Sequence, residues 1–115
     1  MSRESRLYLE DILAACQKVA RYCAGLTRTA FEQNEMAYDA VVRNLELIGE
    51  AAKAVPEPLR QRLPSIEWRK ICGLRDVLAH AYFGIDNEIL WDVIENKVPV
   101  LARELDAFLS AASES

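Results

Sequence analysis

The sequence predicts an all-α fold, an antiparallel four-helix bundle with short extra helical turns. Three long stretches carry apolar residues at alternating spacings of three and four, the pattern of a helix with one buried face. No convincing run alternates apolar and polar residues with a period of two. The chain also lacks the Asn-Gly and Asp-Gly pairs that commonly form hairpin turns, so no strand is expected.

The first predicted helix covers about residues 5–25. Gly25 should end it, because glycine readily adopts the left-handed conformation that follows many helices. Residues 29–32 then have a capping-box pattern, with Thr29 at the cap and Glu32 three positions later, which predicts the start of a second helical piece. The buried stripe of the first helix is expected to comprise Leu9, Ile12, Cys16, Val19, Cys23 and Leu26.

A second long helix is predicted over about residues 35–54. Gly49 adjoins its apolar stripe, where the missing side chain could let another helix approach closely. Pro56, Pro58 and Pro64 follow within a short stretch. Because proline lacks an amide donor and fixes φ, this segment should be a loop that holds a single helical turn. The stripe of the long helix comprises Tyr38, Val41, Leu45, Ile48, Ala52 and Val55.

The third main helix should start near Ile66, with Ser65 as its cap, and continue to a break at Gly84. The last helix follows Asp86, a plausible cap, and extends through about residue 111. Pro99 removes one of its internal hydrogen bonds and should kink it. Its buried stripe is expected to comprise Leu90, Ile94, Val98, Leu101, Leu105 and Phe108.

The bulk properties indicate one domain over residues 1–115 and limit the classes of function. With 14 basic and 18 acidic side chains the net charge is −4, whereas dedicated nucleic-acid binders usually carry a basic face. Any RNA contact must therefore use a local basic pocket, and DNA binding is not expected. The N-terminus lacks the apolar run of a signal peptide, and no apolar stretch reaches membrane-spanning length, so we expect a cytoplasmic protein without membrane contact.

The three cysteines and the single histidine do not suggest a metal site. Cys16 and Cys23 are seven residues apart on one predicted helix, roughly 10 Å along its axis, which is too far for a disulfide. Together with Cys72 they are interpreted as small apolar residues in a reducing compartment. Because metal-ligand spacings are absent, no metal or other cofactor is expected.

The candidate site lies in the segment that contains Arg75, Asp76, His80 and Tyr82. A histidine can act as a general acid or base near neutral pH, an arginine can bind a phosphate with two hydrogen bonds, and a carboxylate can orient the imidazole. This combination favours phosphodiester chemistry, with Arg75, Asp76 and His80 as the catalytic candidates. Spacing alone leaves open whether the Tyr82 hydroxyl binds substrate, packs or is modified.

Helical geometry constrains how these groups can work together. Asp76 and His80 are four apart and share a face, whereas Arg75 is turned roughly 140° from His80 and lies about 7.5 Å away along the axis. Either the helix loosens just before His80, or two copies of the segment meet across a two-fold axis. We favour the homodimer, because Arg75, Arg69 and Lys70 from two chains would then concentrate positive potential and could contact RNA phosphates.

A purely structural interpretation of the same residues is also open. Arg75 and Asp76 could be surface charges, His80 a hydrogen-bonded interior histidine and Tyr82 an interface aromatic. Elsewhere, the Arg60 and Arg62 pair is interpreted as part of a solvated loop. Glu46 and Glu50 could form a carboxylate pair, but since metal-ligand partners are absent they are interpreted as a solvated helix face.

The sequence resembles the HEPN-domain proteins of the HepT-like toxin group. The motif is Arg, four residues, His, one residue, Tyr, which corresponds here to Arg75, His80 and Tyr82. Asp76 is among the polar residues that the family accepts after the arginine. The flanking blocks that extend the resemblance over nearly the whole chain are residues 43–51, 68–74, 85–86 and 90–91.

The resemblance implies a metal-independent endoribonuclease that is the toxin of a toxin–antitoxin system. It would work as a homodimer with the active cleft between the subunits. Its partner would be a minimal nucleotidyltransferase antitoxin, with which the dimer could form a higher assembly. That partner is expected to neutralise the toxin by transferring AMP onto the motif tyrosine, Tyr82. The alternative from another class is a non-catalytic module that docks a nucleotidyltransferase or a nucleotide without cutting RNA.

Overall fold

The computed structural model describes residues 1–82 and 86–114, and for residues 80–82 and 113–114 the description is of the backbone. Within these ranges the chain is helical and forms no strand, so the predicted all-α class is confirmed. The predicted break at Gly84 lies outside the described residues. In chain order the elements are α1 (Arg3–Cys23), α2 (Arg28–Gln33), α3 (Glu35–Ala54), α4 (Glu57–Gln61), α5 (Trp68–Cys72), α6 (Leu74–Tyr82), α7 (Asn87–Asp92), a π-helical turn (Val93–Lys97) and α8 (Val98–Glu114).

Helix α1 has well-defined caps at both ends. Ser2 accepts a hydrogen bond from the Ser5 amide at 3.0 Å, which satisfies one of the amides that every helix start leaves unpaired. Gly25 follows the last turn with φ at 76°, the left-handed conformation that glycine adopts without strain, so the predicted helix end is confirmed. Four members of the predicted stripe are fully buried: Leu9, Ile12, Cys16 and Val19.

Thr27, and not Thr29, caps α2. The Thr27 Oγ1 accepts a hydrogen bond from the Ala30 amide at 3.1 Å, and its backbone is extended, as an N-cap requires. Thr29 lies inside the helix, so the prediction of a capping box at Thr29 is wrong. Glu32 instead pairs with Arg28 one turn earlier, at 3.3 Å.

Helix α3 covers the residues that the periodicity predicts. Asn34 caps it by accepting from the Ala37 amide at 3.0 Å, and its apolar stripe packs along α1. Gly49 faces the chain between α5 and α6: a Cβ at this position would lie 3.5 Å from the Ile71 carbonyl oxygen and 3.8 Å from the Leu74 Cβ. The close approach predicted beside Gly49 is therefore present.

The proline-rich segment holds the single turn α4, as predicted, but Arg60 within it is not a solvated loop residue. Its Nε donates to the Val55 carbonyl at 3.0 Å and its Nη2 to the Ala52 carbonyl at 2.8 Å. These carbonyls belong to the end of α3, where a helix lacks its own donors and where a cation is favourable. The guanidinium also lies 5.7 Å from the ring centroid of Trp68. Arg60 therefore ties the loop to the end of α3.

The third main helix is interrupted. The single helix predicted from Ile66 consists of α5, which begins at Trp68, and α6, with Gly73 between them. Glycine is a poor residue for a helix interior, which accounts for a break at this position. Ser65 does not cap α5, since its hydroxyl donates to Glu104 Oε2 at 2.7 Å, so that prediction is wrong.

Pro99 acts on the last helix through the turn before it. The ring of a proline clashes with the carbonyl four residues earlier, which here is Glu95, and the chain widens into a π-helical turn over Val93–Lys97. Within this turn the Val98 amide bonds to the Val93 carbonyl, five residues back. The predicted kink thus takes the form of a wider turn that lies between α7 and α8.

In the described part of the chain, the helices enclose one cluster of buried side chains. α1 contacts α3 and α8, α3 also contacts α5 and α6, and α6 contacts α7. The antiparallel order of four helices stays a prediction. None of the helices formed by the described residues combines the length and the apolar character that crossing a membrane requires. The largest fully buried side chains are Phe31, Leu9, Ile12, Leu45, Ile48, Leu90 and Leu105.

Candidate functional site

Helix α6 carries the four residues of the predicted site. Leu74 and Leu78 are buried and anchor it to the core, while Arg75, Asp76 and Ala79 are exposed. This division follows from the helical period, since positions four apart share a face. The helix therefore presents Arg75 and Asp76 to solvent at the start of its exposed side.

His80 and Tyr82 belong to the α6 backbone, and their side chains lie outside the described residues. The backbone is α-helical from Leu74 to Tyr82, so it does not loosen before His80. A loosened helix was one of the two ways to bring Arg75 and His80 to one atom, and the continuous α6 excludes it. The arrangement across a two-fold axis stays a prediction. On an uninterrupted helix the two residues remain roughly 140° apart.

Asp76 occupies the first turn of α6, and its amide donates to the Gly73 carbonyl at 3.0 Å. A carboxylate in the first turn of a helix is stabilised by the unpaired amides and the helix dipole. Asp76 thus has a structural role beside the one that the sequence predicts. The hydrogen bond expected between Asp76 and His80 stays a prediction.

Arg75 is available to bind an anion. Among the residues that the structure describes it makes no ion pair and no side-chain hydrogen bond. It borders a groove of about 400 Å³ between α3 and α6. An exposed guanidinium at the edge of a groove has the geometry to bind a phosphate with two hydrogen bonds.

The two predicted phosphate contacts on α5 face different ways. Arg69 lines a depression with Arg60 and Trp68, whereas Lys70 borders a separate cavity between α5–α6 and α8. Lys70 donates to Glu67 Oε2 at 2.7 Å, and this hydrogen bond raises the pKa of Lys70. Within one chain the structure does not bring these two cations together, and Lys70 already has an anionic partner.

Three charged residues of α3 share the groove with Arg75. Glu46, Glu50 and Lys53 are four and three apart, so they lie on one helix face, and all three are exposed. The expectation that Glu46 and Glu50 are solvated is consistent with this exposure, but sequence reasoning missed their place beside Arg75. The one available signal was Gly49 between them, which predicted a close helix at that point.

The cavity that Lys70 borders has a volume of about 430 Å³ and lies between α5–α6, the π-helical turn and α8. Its lining is mostly aliphatic and includes Ile71, Val77 and Leu101. In the described part of the chain no three His, Cys, Asp or Glu side chains are placed to hold a metal ion.

The geometry thus defines a small helical protein with an exposed arginine beside a groove, on a helix that also carries the only histidine of the sequence. Comparison with known proteins identifies the class. Residues 12–108 match the model of the family described as ribonuclease HepT-like. The chain belongs to the HepT-like ribonuclease family, which agrees with the resemblance found in the sequence.

Individual relatives support the same assignment over most of their length. The protein named "Probable ribonuclease HepT" of Thermococcus cleftensis is 37% identical over 88% of this chain and 92% of its own. Two proteins whose names give a provisional RNase assignment are similar. MJ1380 of Methanocaldococcus jannaschii is 35% identical over 90% of this chain and 95% of its own, and TTE0752 of Caldanaerobacter subterraneus is 36% identical over 90% and 93%. No solved structure matches the chain.

Proposed function

We propose that this ribonuclease is a metal-independent endoribonuclease and the toxin of a toxin–antitoxin system. The observation that carries the proposal is Arg75: it is exposed, makes no ion pair within the described residues, and lies on the same regular helix as His80. Membership of the HepT-like family supplies the class of reaction.

The reaction is an intramolecular transesterification. The ribose 2′-oxygen attacks the adjacent phosphorus, and the bond from phosphorus to the 5′-oxygen breaks, which leaves a cyclic phosphate and a free 5′-hydroxyl. His80 accepts the proton of the 2′-hydroxyl or donates one to the leaving oxygen. Arg75 stabilises the charge on the phosphate oxygens in the transition state, and Asp76, four residues before His80, is the candidate to orient the imidazole.

The active site is composite, formed by a homodimer. Because α6 is continuous, one chain holds Arg75 and His80 on different sides of the helix. Two α6 helices that meet across a two-fold axis would place the arginine of one protomer beside the histidine of the other. This arrangement also adds the positive charges of two chains in a protein whose net charge is −4.

Neutralisation by a minimal nucleotidyltransferase antitoxin fits the position of the motif tyrosine. Tyr82 is seven residues after Arg75 and therefore on nearly the same side of α6. Transfer of AMP from ATP would form a bond from the phenolic oxygen to the α-phosphorus, release pyrophosphate, and leave the phenolic proton in solvent. The added phosphate and nucleoside would place negative charge and bulk near Arg75, where the RNA phosphate is to bind.

The decisive experiment compares the purified wild-type chain with His80→Ala and Arg75→Ala on total RNA in the presence of a chelator. We expect wild-type cleavage, and a loss of about 10²-fold or more in each variant. Arg62→Ala is the matched control, since Arg62 is also an exposed arginine but lies outside α6 and does not line the groove that Arg75 borders. Cleavage that survives His80→Ala would refute the mechanism.

Growth arrest on expression of the chain alone, relieved by a neighbouring nucleotidyltransferase, tests the toxin role. An increase of one AMP in the intact mass, absent in Tyr82→Phe, tests the modification. If the folded wild-type chain does not cleave RNA, the non-catalytic docking module becomes the better interpretation.

A further inference from the structure

The groove between α3 and α6 has the dimensions and the lining of a ligand site. Its volume of about 400 Å³ falls within the range of roughly 300–1,000 Å³ typical of small-ligand pockets. The buried Leu45 and Leu78 form an apolar floor, and Gly49 and Ala79 keep the space between the helices open because their side chains are absent or short. A flat aromatic ring could stack on such a floor.

Charged groups of both signs surround this floor. Arg75 lies on the α6 side, and Glu46, Glu50 and Lys53 lie on the α3 side. Glu50 is held by Lys53 at 3.3 Å, whereas Glu46 makes no hydrogen bond or ion pair within the part of the chain that the structure describes. Among the described residues, the groove therefore offers one cation, Arg75, and one carboxylate, Glu46, without an ion pair, each exposed to solvent. A ligand that uses both must have an anionic end, a flat body and hydrogen-bond donors at its other end.

Among the components of RNA, a guanine nucleotide matches this description best. Guanine presents N1–H and the 2-amino group side by side, and one ionised carboxylate can accept both hydrogen bonds. Adenine and cytosine place a ring acceptor next to their amino group, which would face the carboxylate unfavourably. Uracil has a single donor between two carbonyl oxygens. Unstacked bases of single-stranded RNA are commonly recognised in this way, on their Watson–Crick edge.

We propose that the groove between α3 and α6 binds a guanine of the RNA substrate, with Glu46 as the acceptor for N1–H and the 2-amino group. The proposal rests on the proposed function, because it takes the phosphate bound by Arg75 as part of the same RNA strand. Glu46 is thereby a specificity residue, and it does not touch the reacting atoms. Cuts should fall beside guanines in unpaired segments.

Nucleotide binding tests the groove without any need for cleavage. Titration of the wild-type chain with GMP, IMP and AMP, followed by NMR shifts of the Gly49 and Ala79 amides, gives the three dissociation constants. IMP differs from GMP only by the missing 2-amino group. We expect GMP to bind about tenfold or more tightly than IMP and AMP, the discrimination typical of one bidentate pair.

Two variants of exposed carboxylates on α3 complete the test. Glu46→Gln should bring the affinity for GMP to that for IMP, because the amide offers a donor where guanine needs an acceptor. Asp39→Asn, with the same change of charge outside the groove, should leave the preference intact. Equal affinities for the three nucleotides, no binding, or a GMP preference that survives Glu46→Gln would overturn the proposal.

The guanine site and the nuclease activity can fail independently of each other. Cleavage by the wild-type chain without a guanine preference in binding or in the mapped cuts would leave the nuclease intact and remove the guanine site. A GMP preference that depends on Glu46, in a chain that does not cleave RNA, would establish the site and refute the nuclease.

Discussion

Arg60 Nη2 lies 2.8 Å from the carbonyl oxygen of Ala52, so a residue of α4 adds a charged hydrogen bond at the end of α3. The same guanidinium reaches the Val55 carbonyl and the Trp68 ring. Helix ends leave their last carbonyls unpaired, and a charged donor that reaches two of them holds the following loop in place. This contact joins the helix that carries Glu46 to the segment that leads into α6.

Arg60→Ala should lower the free energy of unfolding by about 1–3 kcal/mol, because hydrogen bonds from a charged donor to two carbonyls of α3 are lost. Urea denaturation measures the change. Arg62→Ala serves as the control: its exposed guanidinium lies 5.0 Å from the Phe108 ring centroid, and its removal should cost less than about 1 kcal/mol. Equal losses in the two variants would mean that the contacts of Arg60 contribute no more than those of a surface arginine.

Thr27→Ala should destabilise the protein by about 0.5–2 kcal/mol, because the Ala30 amide loses its partner. Thr29→Ala should have little effect or stabilise slightly, since Thr29 lies within α2 and alanine is the better helix former. Thermal unfolding of the two variants in parallel distinguishes the cap found in the structure from the one that the sequence pattern predicts. A larger loss in Thr29→Ala would reverse the assignment.

Gly49→Ala should stabilise the chain by up to about 1 kcal/mol. The new methyl group would meet the Ile71 carbonyl oxygen at 3.5 Å and the Leu74 Cβ at 3.8 Å, which are ordinary contact distances. Alanine also loses less entropy than glycine when a helix forms. Gly49→Leu is the contrasting variant, because its longer side chain has no such space, and it should destabilise. A loss of stability in both would mean that α5–α6 approaches Gly49 more closely than the distances to Ile71 and Leu74 allow.

Cys16 should resist alkylation in the native protein at pH 8. Burial raises the pKa of the Cys16 thiol to about 12, so the reactive thiolate is absent at this pH. Mass spectrometry after iodoacetamide treatment should find Cys16 unmodified in the native chain and modified in urea. Rapid native modification of Cys16 would contradict its burial.

The raised pKa of Cys16 also makes the free energy of unfolding depend on pH under alkaline conditions. The pKa is higher in the folded state than the ordinary value of 9.0, so the folded chain retains a proton that the unfolded chain loses. The stabilising contribution of the Cys16 thiol to the free energy of unfolding is fully present below pH 9. It is lost progressively as the pH rises from there toward about 12. Cys16→Ala should weaken this alkaline dependence.

Local periodicity was enough to predict the long helices. The stripe around Val41, Leu45 and Ile48 placed α3 within the residues where it is found, because a helix buries one face at a fixed period. The prediction of a cap at Thr29 is wrong because Thr27 and Thr29 are both suitable hydroxyl residues near the start of α2, and only the folded backbone selects one of them. The prediction at Ser65 is wrong because α5 begins later, after Glu67, and no side chain caps it.

The candidate site was only partly predictable. The sequence placed Arg75, Asp76 and His80 on one helix, since their spacing is local. It could not place Glu46 beside Arg75, because residues so far apart in the chain meet only through the packing of α3 against α6. The contacts of Arg60 with Val55 and Ala52 span only five and eight residues, but they depend on how the proline-rich turn folds back on the end of α3, which helical periodicity does not predict.

Pro99 sets which side of the last helix faces inward at each of its ends. One residue turns an α-helix by about 100°, so a switch of Val93–Lys97 from the π to the α conformation would rotate α7 against α8. Leu90 and Leu101, both buried now, could not then remain in the core together. Pro99 therefore fixes the rotation of α7 relative to α8. With the π-helical turn in place, the apolar faces of both helices point into the same core.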